Sequence, residues 1–311
     1  MDVNNRVAIV GAGLIGRSWA IVFAAGGFEV ALYDVSRDIV DAARVLVGQG
    51  LRDLAEHGLL DDPQTAAARV HAAADLADAL HGAALVQENL PERIENKRAI
   101  FPELDRLAAP EAILASSTST IVASLFTEDL KGRHRCLVAH PVNPPHLVPL
   151  VELVGAPWTA PATIDKAKAI YAAVGQAPII VKREIEGFIL NRLQAVLLSE
   201  AFRLVGDGYV TPQDLDKTLK HGLGLRWSFM GPFETIELNA PAGIADYCRR
   251  YGASLSALST ADPAIYEGDN LARILSQWGE ASRADQVAAR MRWRDRRLAA
   301  LRAHQRLQPA D

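Results

Sequence analysis

The stretch Arg6-Val7-Ala8-Ile9-Val10-Gly11-Ala12-Gly13-Leu14-Ile15-Gly16 decides the fold of this chain. Arg6 to Val10 is a short apolar run that reads as a buried strand, and Leu14 to Ala25 reads as a helix. Between them stand three glycines in G-x-G-x-x-G spacing. Gly11 permits a tight turn, Gly13 lets a pyrophosphate approach the backbone, and Gly16 lets helix and strand pack closely. The amides freed at the helix start, around Leu14, Ile15 and Gly16, then face the phosphates. Glycine-rich turns are common, so the context carries the reading. A second strand over 28–33 leads into Asp34, eighteen residues past Gly16, where a carboxylate can accept both hydroxyls of an adenosine ribose. That carboxylate repels a 2′-phosphate, so the expected cofactor is NAD rather than NADP. Arg37, close by, reads as a surface arginine opening the next helix.

At 311 residues the chain is long enough for two domains, each with its own core. Half of it is hydrophobic and 23% is charged, an ordinary globular composition. A net charge of −4 gives no reason to expect nucleic acid or an anionic membrane as partner. The two cysteines, Cys136 and Cys248, make neither a disulfide framework nor a metal-ligand cluster, so no metal site is expected and a reducing compartment fits. The first residues hold no apolar signal core, and no apolar run approaches the length of a membrane span. The expectation is a soluble, cytoplasmic protein.

Onward from Asp34, helical periodicity predicts a helix over 38–57, ended by Gly58, and a second, Ala-rich piece over 66–80 that a short strand near Val70 can break. Strands are expected at 83–87, 113–115, 135–139, 148–154 and 177–181, with helices at 91–107 and 163–174 between them. Such alternation implies an α/β fold, a Rossmann-type doubly wound, mostly parallel sheet with helices on both faces. From Gly187 onward the pattern turns all-helical: a long helix over 188–205, then another from Pro212 with Thr211 as N-cap. Two domains follow, an NAD-binding one over 1–186 and an all-helical one over 187–311, with Glu186-Gly187 as hinge. The Arg-rich stretch 284–307 (Arg290, Arg292, Arg294, Arg296, Arg297) reads as a solvated helix face or a subunit contact rather than a site for an anionic partner.

Few positions carry chemistry. His140 ends its strand just before Pro141-Val142-Asn143-Pro144-Pro145. A lone histidine is usually structural, but Glu152 changes that. If the strands on either side form a hairpin, the midpoint of 140 and 152 is 146, inside the proline-rich turn, and the two residues are cross-strand partners about 5 Å apart at Cβ. A carboxylate on one imidazole nitrogen fixes the tautomer and leaves the other nitrogen as a base. The hydroxyl cluster Ser116-Ser117-Thr118-Ser119-Thr120 follows a strand's carboxyl end, where open sheets bind ligands, yet it can equally be a plain turn. Asn191, early in the long helix, either bonds backbone or reaches into a cleft.

Taken together, Gly11 to Gly16, Asp34, Ser119, His140 to Pro144, Val151-Glu152-Leu153-Val154 and Gly187-Phe188-Ile189-Leu190-Asn191-Arg192 resemble the 3-hydroxyacyl-CoA dehydrogenase superfamily over roughly residues 5 to 240. The resemblance implies His140 as general base, Glu152 as its orienter, and Ser119 and Asn191 as holders of the substrate oxygen. It also implies that Glu92 and Lys97 line the cofactor site, and that subunits pair through the helical domain into a homodimer. Pro141-Val142 stands where acyl-CoA enzymes have Phe-Phe, and the segment 222–232 carries Arg226-Trp227. Both features look like the lambda-crystallin and L-gulonate 3-dehydrogenase branch, and carnitine 3-dehydrogenases share the Arg-Trp pair. A small hydroxy acid needs its carboxylate held, which a guanidinium does with two parallel bonds, so Arg226 is the expected substrate-binding residue. The implied reaction is NAD-dependent oxidation of the 3-hydroxyl of a small acid such as L-gulonate. Short-chain 3-hydroxyacyl-CoA and carnitine are the alternative substrates, and a catalytically silent, crystallin-like NAD-binding protein is the alternative of another class.

Overall fold

A computed structural model of the chain describes residues 5–228, 230–241 and 243–258, together with 269, 292, 295, 296, 299–304, 306 and 307. It begins with the expected unit: β1 (Arg6–Val10), α1 (Leu14–Ala25) and β2 (Glu29–Tyr33). Next come α2 (Arg37–Glu56), α3 (Pro63–Ala68), β3 (Val70–Ala72) and α4 (Leu76–Leu80). β4 (Leu85–Glu88), α5 (Ile94–Leu107), β5 (Ile113–Ser116) and the short α6 (Ser124–Thr127) follow. β6 (Cys136–Pro141), β7 (Leu150–Gly155), α7 (Pro161–Ala173) and β8 (Ala177–Val181) complete the sheet.

The eight strands lie in the order β3-β2-β1-β4-β5-β6-β7-β8. Every neighbouring pair is parallel except β6 and β7, which are antiparallel. β1, β5 and the first half of β4 are largely apolar because both faces of the sheet are covered there. On one side α1 and α7 meet through Trp19, Phe23 and Tyr171, with Trp19 5.3 Å from Tyr171 and 5.7 Å from Phe23 between ring centroids. On the other side α5 packs through Phe101 and Leu104, and Phe101 lies 4.6 Å from Phe126 of α6. This is the doubly wound, Rossmann-type arrangement that strand–helix alternation implies.

The Ala-rich piece over 66–80 is broken by β3, where a short strand near Val70 was expected, with a short helix on either side. Side-chain caps explain the break: Asp62 accepts from the amides of Gln64 and Thr65, and Asp75 accepts from that of Asp78. The long helix begins later than expected. α8 spans Leu190–Gly206, because Gly187 and Phe188 hold positive φ of 74° and 48° and cannot continue a helix. Beyond it lie α9 (Pro212–Thr218), a π-helical turn (Leu219–Leu223), α10 (Gly224–Trp227), α11 (Pro232–Leu238) and α12 (Gly243–Leu258). Thr211 caps α9 as expected, its hydroxyl accepting from the Asp214 amide at 3.2 Å. Among the described residues no strand follows Val181.

Two compact units emerge, 1–190 with 287–311, and 191–286. The break falls four residues after the expected hinge at 186–187. The last stretch, assigned from sequence to the helical domain, instead groups with the sheet: Ala299 is 5% exposed within the core that holds Leu51 and Leu54 of α2. Of the expected Arg-rich helix, Arg290, Arg294 and Arg297 lie outside the described residues. No described helix is long and apolar enough to cross a membrane.

Candidate active site

Strands β1 to β6 all end on one edge of the sheet, and that edge carries the loops of interest. Gly11, with φ of 94°, turns the chain out of β1; a Cβ there would stand 2.9 Å from the Asn89 carbonyl. At Gly16 a Cβ would reach 1.8 Å from the Gly11 oxygen, so close packing at the helix start requires glycine. Gly13 is the opposite case: a Cβ would meet no protein atom within 4 Å. The space above it is where a pyrophosphate would approach. Gly13 also N-caps α1 without a side-chain cap and with no acidic residue in the first turn, which leaves the initial amides to an anion. Asp34 closes the cradle from the end of β2. Its Oδ2 accepts from the Ala12 amide at 2.9 Å and its Oδ1 from Ser36 at 3.2 Å, fixing the carboxylate beside the glycine turn. These residues fit NAD.

The hydroxyl cluster after β5 is a built loop. Glu92 Oε1 accepts from the Thr118 hydroxyl at 2.5 Å, the Ser119 amide at 2.9 Å and the Thr120 amide at 3.1 Å. Burial pushes the Glu92 carboxyl up, but these bonds and Lys97 outweigh it and hold the group below the usual carboxylate range. Glu92 thus shapes the Ser119 loop.

Lys97 does not face an open cleft. Its side chain is 1% exposed, and its three N–H donors go to Glu88 Oε1 (2.7 Å), Glu88 Oε2 (2.9 Å) and the Leu90 carbonyl (3.1 Å). The expected cofactor contact is therefore replaced by a supporting one. Glu88 in turn accepts from the Leu90 amide and the Ser116 hydroxyl, both at 2.6 Å. Lys97→Met should cost about 3–5 kcal/mol in urea denaturation, because it strands a fully buried carboxylate. Removing both charges with Lys97→Met and Glu88→Gln should recover part of that loss. A single-variant cost below about 1 kcal/mol would make the pair dispensable.

A second buried network escaped the sequence reading. Ser117 Oγ accepts from Trp19 Nε1 at 3.0 Å and Gln87 Nε2 at 2.7 Å, and donates to Asn89 Oδ1 at 2.7 Å. The Tyr171 hydroxyl, held protonated by burial, donates to Gln87 Oε1. One hydroxyl thus joins α1, β4 and the turn under Gly11. The available signal was Gln87-Glu88, two polar residues closing an otherwise apolar strand.

His140 and Glu152 are directly paired across β6 and β7. His140 Nδ1 lies 2.8 Å from Glu152 Oε2, both side chains being buried. Burial pushes the Glu152 carboxyl up, but the bond from His140 and the amides of Ile189 and Leu190 outweigh it and leave the group below its ordinary value. An ionised carboxylate only accepts, so Nδ1 carries the proton and Nε2 is the basic nitrogen. Among the described residues nothing bonds Nε2. The Phe188 ring, wholly buried with its centroid 5.3 Å from that of His140, keeps the imidazole in place. Glu152 Oε1 accepts from Ile189 at 2.9 Å and Leu190 at 3.1 Å, so the same carboxylate holds the start of α8.

The edge thus gathers Gly11 to Gly16, Asp34, Glu92, Ser119, His140 and Glu152 within the sheet unit. Asn191 and Arg226 belong to the other unit. Asn191 is the second residue of α8 and half-buried. Arg226 is exposed in α10, and among the described residues nothing bonds its guanidinium. Phe229, in the segment that bears Arg226, lies outside the described residues. No group of three or more His, Cys, Asp or Glu that could hold a metal ion occurs among them. Cys136 is buried with its thiol pushed up to about 12, which leaves it inert.

A dinucleotide cradle sharing its sheet edge with a carboxylate-bound histidine defines an NAD-dependent oxidoreductase acting on a CH–OH group. The chain belongs to the 3-hydroxyacyl-CoA dehydrogenase family: residues 6–185 match its NAD binding domain and residues 187–287 its C-terminal domain. It is 43% identical to a lambda-crystallin homolog of Mus musculus over 93% of this chain and 92% of that protein. It is 36% identical to an L-carnitine dehydrogenase of Pseudomonas putida over 94% and 92% of the two chains. Among solved structures, 5-formyl-3-hydroxy-2-methylpyridine 4-carboxylic acid 5-dehydrogenase, an NAD+ dependent dismutase, matches with a TM-score of 0.84 and 29% identity, covering 98% of this chain and 99% of that one.

Proposed function

We propose that the enzyme oxidises the 3-hydroxyl of a small free hydroxy acid of the L-gulonate type. The observation that carries the chemistry is the 2.8 Å His140–Glu152 bond, which makes Nε2 the basic nitrogen of a buried imidazole. His140 takes the hydroxyl proton at Nε2, and Glu152 stabilises the resulting imidazolium through Nδ1. Ser119 and Asn191 hold the reacting oxygen. NAD, when bound, supplies the hydride acceptor; Gly11, Gly13, Leu14, Ile15, Gly16 and Asp34 hold it, while Glu92 shapes the loop beside it and Lys97 supports that site from below. We assign subunit pairing into a homodimer to the helical domain.

Substrate choice rests on Arg226 and on Pro141-Val142, which set the chain apart from the acyl-CoA enzymes. An exposed guanidinium with no partner among the described residues can take a carboxylate with two parallel bonds, a group that a thioester lacks. The carnitine reading is favoured by one feature, Trp227, 42% exposed beside Arg226, whose ring can face a trimethylammonium. L-Gulonate, L-carnitine and (S)-3-hydroxybutyryl-CoA assayed with NAD at 340 nm separate the three. Turnover confined to the thioester would overturn the free-acid reading, and NADH binding without turnover on any of them would favour the silent protein. Arg226→Ala should raise KM for the acid by about 10–100-fold with kcat little changed, the loss expected for one charge-assisted bidentate contact. Unchanged kinetics would remove Arg226 from the site.

A further inference from the structure

Away from the active edge, described residues beyond 287 meet the helices of the sheet unit at two neighbouring cavities. The smaller, about 240 Å³, is lined by Arg292 and Arg296 together with three carboxylates, Asp53, Glu56 and Asp295, so its arginines face counter-charges. The larger, about 440 Å³, is lined by Arg302 and Arg306 and by no described carboxylate. Arg306 donates to the Gly58 carbonyl at 3.3 Å. Arg302 is half-buried, and among the described residues no hydrogen bond or ion pair holds its guanidinium. Burial and the neighbouring Arg306 charge both push its pKa down, as expected of two cations sharing a pocket with no described counter-charge. The ends of α1 and α7, at Gly26 and Gly175, line the cavity too, but helix ends supply only about half a negative charge each against two full positive ones. On the same wall Gln176, 8% exposed, donates Nε2 to the Pro145 carbonyl at 3.3 Å, which leaves its buried Oε1 without a partner.

We propose that this cavity is a second binding site, for a small oxyanion that also carries a hydrogen-bond donor: hydrogenphosphate, or the phosphate monoester of a hydroxylated compound. Arg302 and Arg306 take the charged oxygens, and Gln176 Oε1 accepts from the P–OH or an adjacent hydroxyl. The match is chemical. Two guanidiniums select an anion, and an orphaned amide oxygen selects one that can donate, which sulfate cannot do at neutral pH.

The test uses the full-length enzyme saturated with NADH, so that the glycine cradle cannot take the probe. Inorganic phosphate, glucose 6-phosphate, sulfate and chloride are titrated calorimetrically at matched ionic strength. Phosphate or glucose 6-phosphate should bind, and whichever binds tighter identifies the source as free anion or ester. Arg302→Gln should weaken that binding about tenfold or more, with NADH binding and turnover unchanged. Gln176→Leu should abolish the preference for phosphate over sulfate. The binding should persist in Arg226→Ala, which separates it from the substrate carboxylate site. If Arg302→Gln does not fold, Arg302→Lys, which keeps the charge but loses the fork, should weaken binding by a smaller factor. Phosphate indistinguishable from chloride, or bound equally by wild type and Arg302→Gln, would overturn the site.

Discussion

Replacing His140 by alanine should lower kcat by about 10³-fold while NADH binds with nearly its original affinity. The asymmetry follows from placement. The glycine cradle and Asp34 belong to β1, α1 and β2, whereas His140 lies at the end of β6, with β4 and β5 between. Nothing in the cradle bonds the imidazole, whose hydrogen-bond partner is Glu152. The variant removes the base but leaves the substrate oxygen's proposed holders, so activity should fall and not vanish. Raising the pH should restore part of the rate, because hydroxide can then replace the missing base. NADH fluorescence titration and stopped-flow turnover on one preparation separate the two effects. Turnover within about tenfold of wild type would remove His140 from the chemistry, and a parallel collapse of NADH affinity would mean that the fold had been damaged instead.

Local signals carried the sequence reading far where the relevant physics is local. The cradle was legible because each glycine answers a short-range steric demand, now visible as the crowding of a hypothetical Cβ at Gly11 and Gly16 and its absence at Gly13. The His140–Glu152 pair was legible because a hairpin about residue 146 fixes its register, and β6 and β7 pair in that register. What depends on distant packing was not. Whether Lys97 points into the cleft or under it is decided by Glu88, nine residues earlier on another element, whose buried carboxylate needs a cation. The delayed start of α8 reflects Phe188, whose strained φ turns its ring onto His140. The return of Ala299 to the core beside α2 joins residues about 250 apart, a relation that no periodicity encodes.

Glu152→Gln should be nearly as damaging as the loss of His140, lowering kcat by about 10²–10³-fold, although it changes only one oxygen to an amide nitrogen. The carboxylate accepts three hydrogen bonds, from His140 Nδ1 and from the amides of Ile189 and Leu190. A glutamine cannot accept on both sides. If its oxygen stays with the two amides, its NH₂ faces Nδ1, so the imidazole must carry its proton on Nε2 and can no longer take one from substrate. If it flips, the NH₂ opposes two backbone donors and the start of α8 loses its anchor. The first outcome loses activity through the wrong tautomer; the second keeps the tautomer but loses both the charge that stabilises the imidazolium and the anchor of α8. Because Glu152 acts through His140, the double variant with His140→Ala should be about as slow as His140→Ala alone. The pH dependence adds a reading independent of catalysis. Glu152 has its folded pKa below the unfolded value, so its contribution to stability is complete above the unfolded carboxylate range, near pH 4–5, and is lost as pH falls through the folded value. Glu152→Gln lacks that titration, so its deficit in urea stability relative to wild type should shrink on acidification. A deficit constant from pH 7 downward would show that the ionised carboxylate is not what joins His140 to the start of α8.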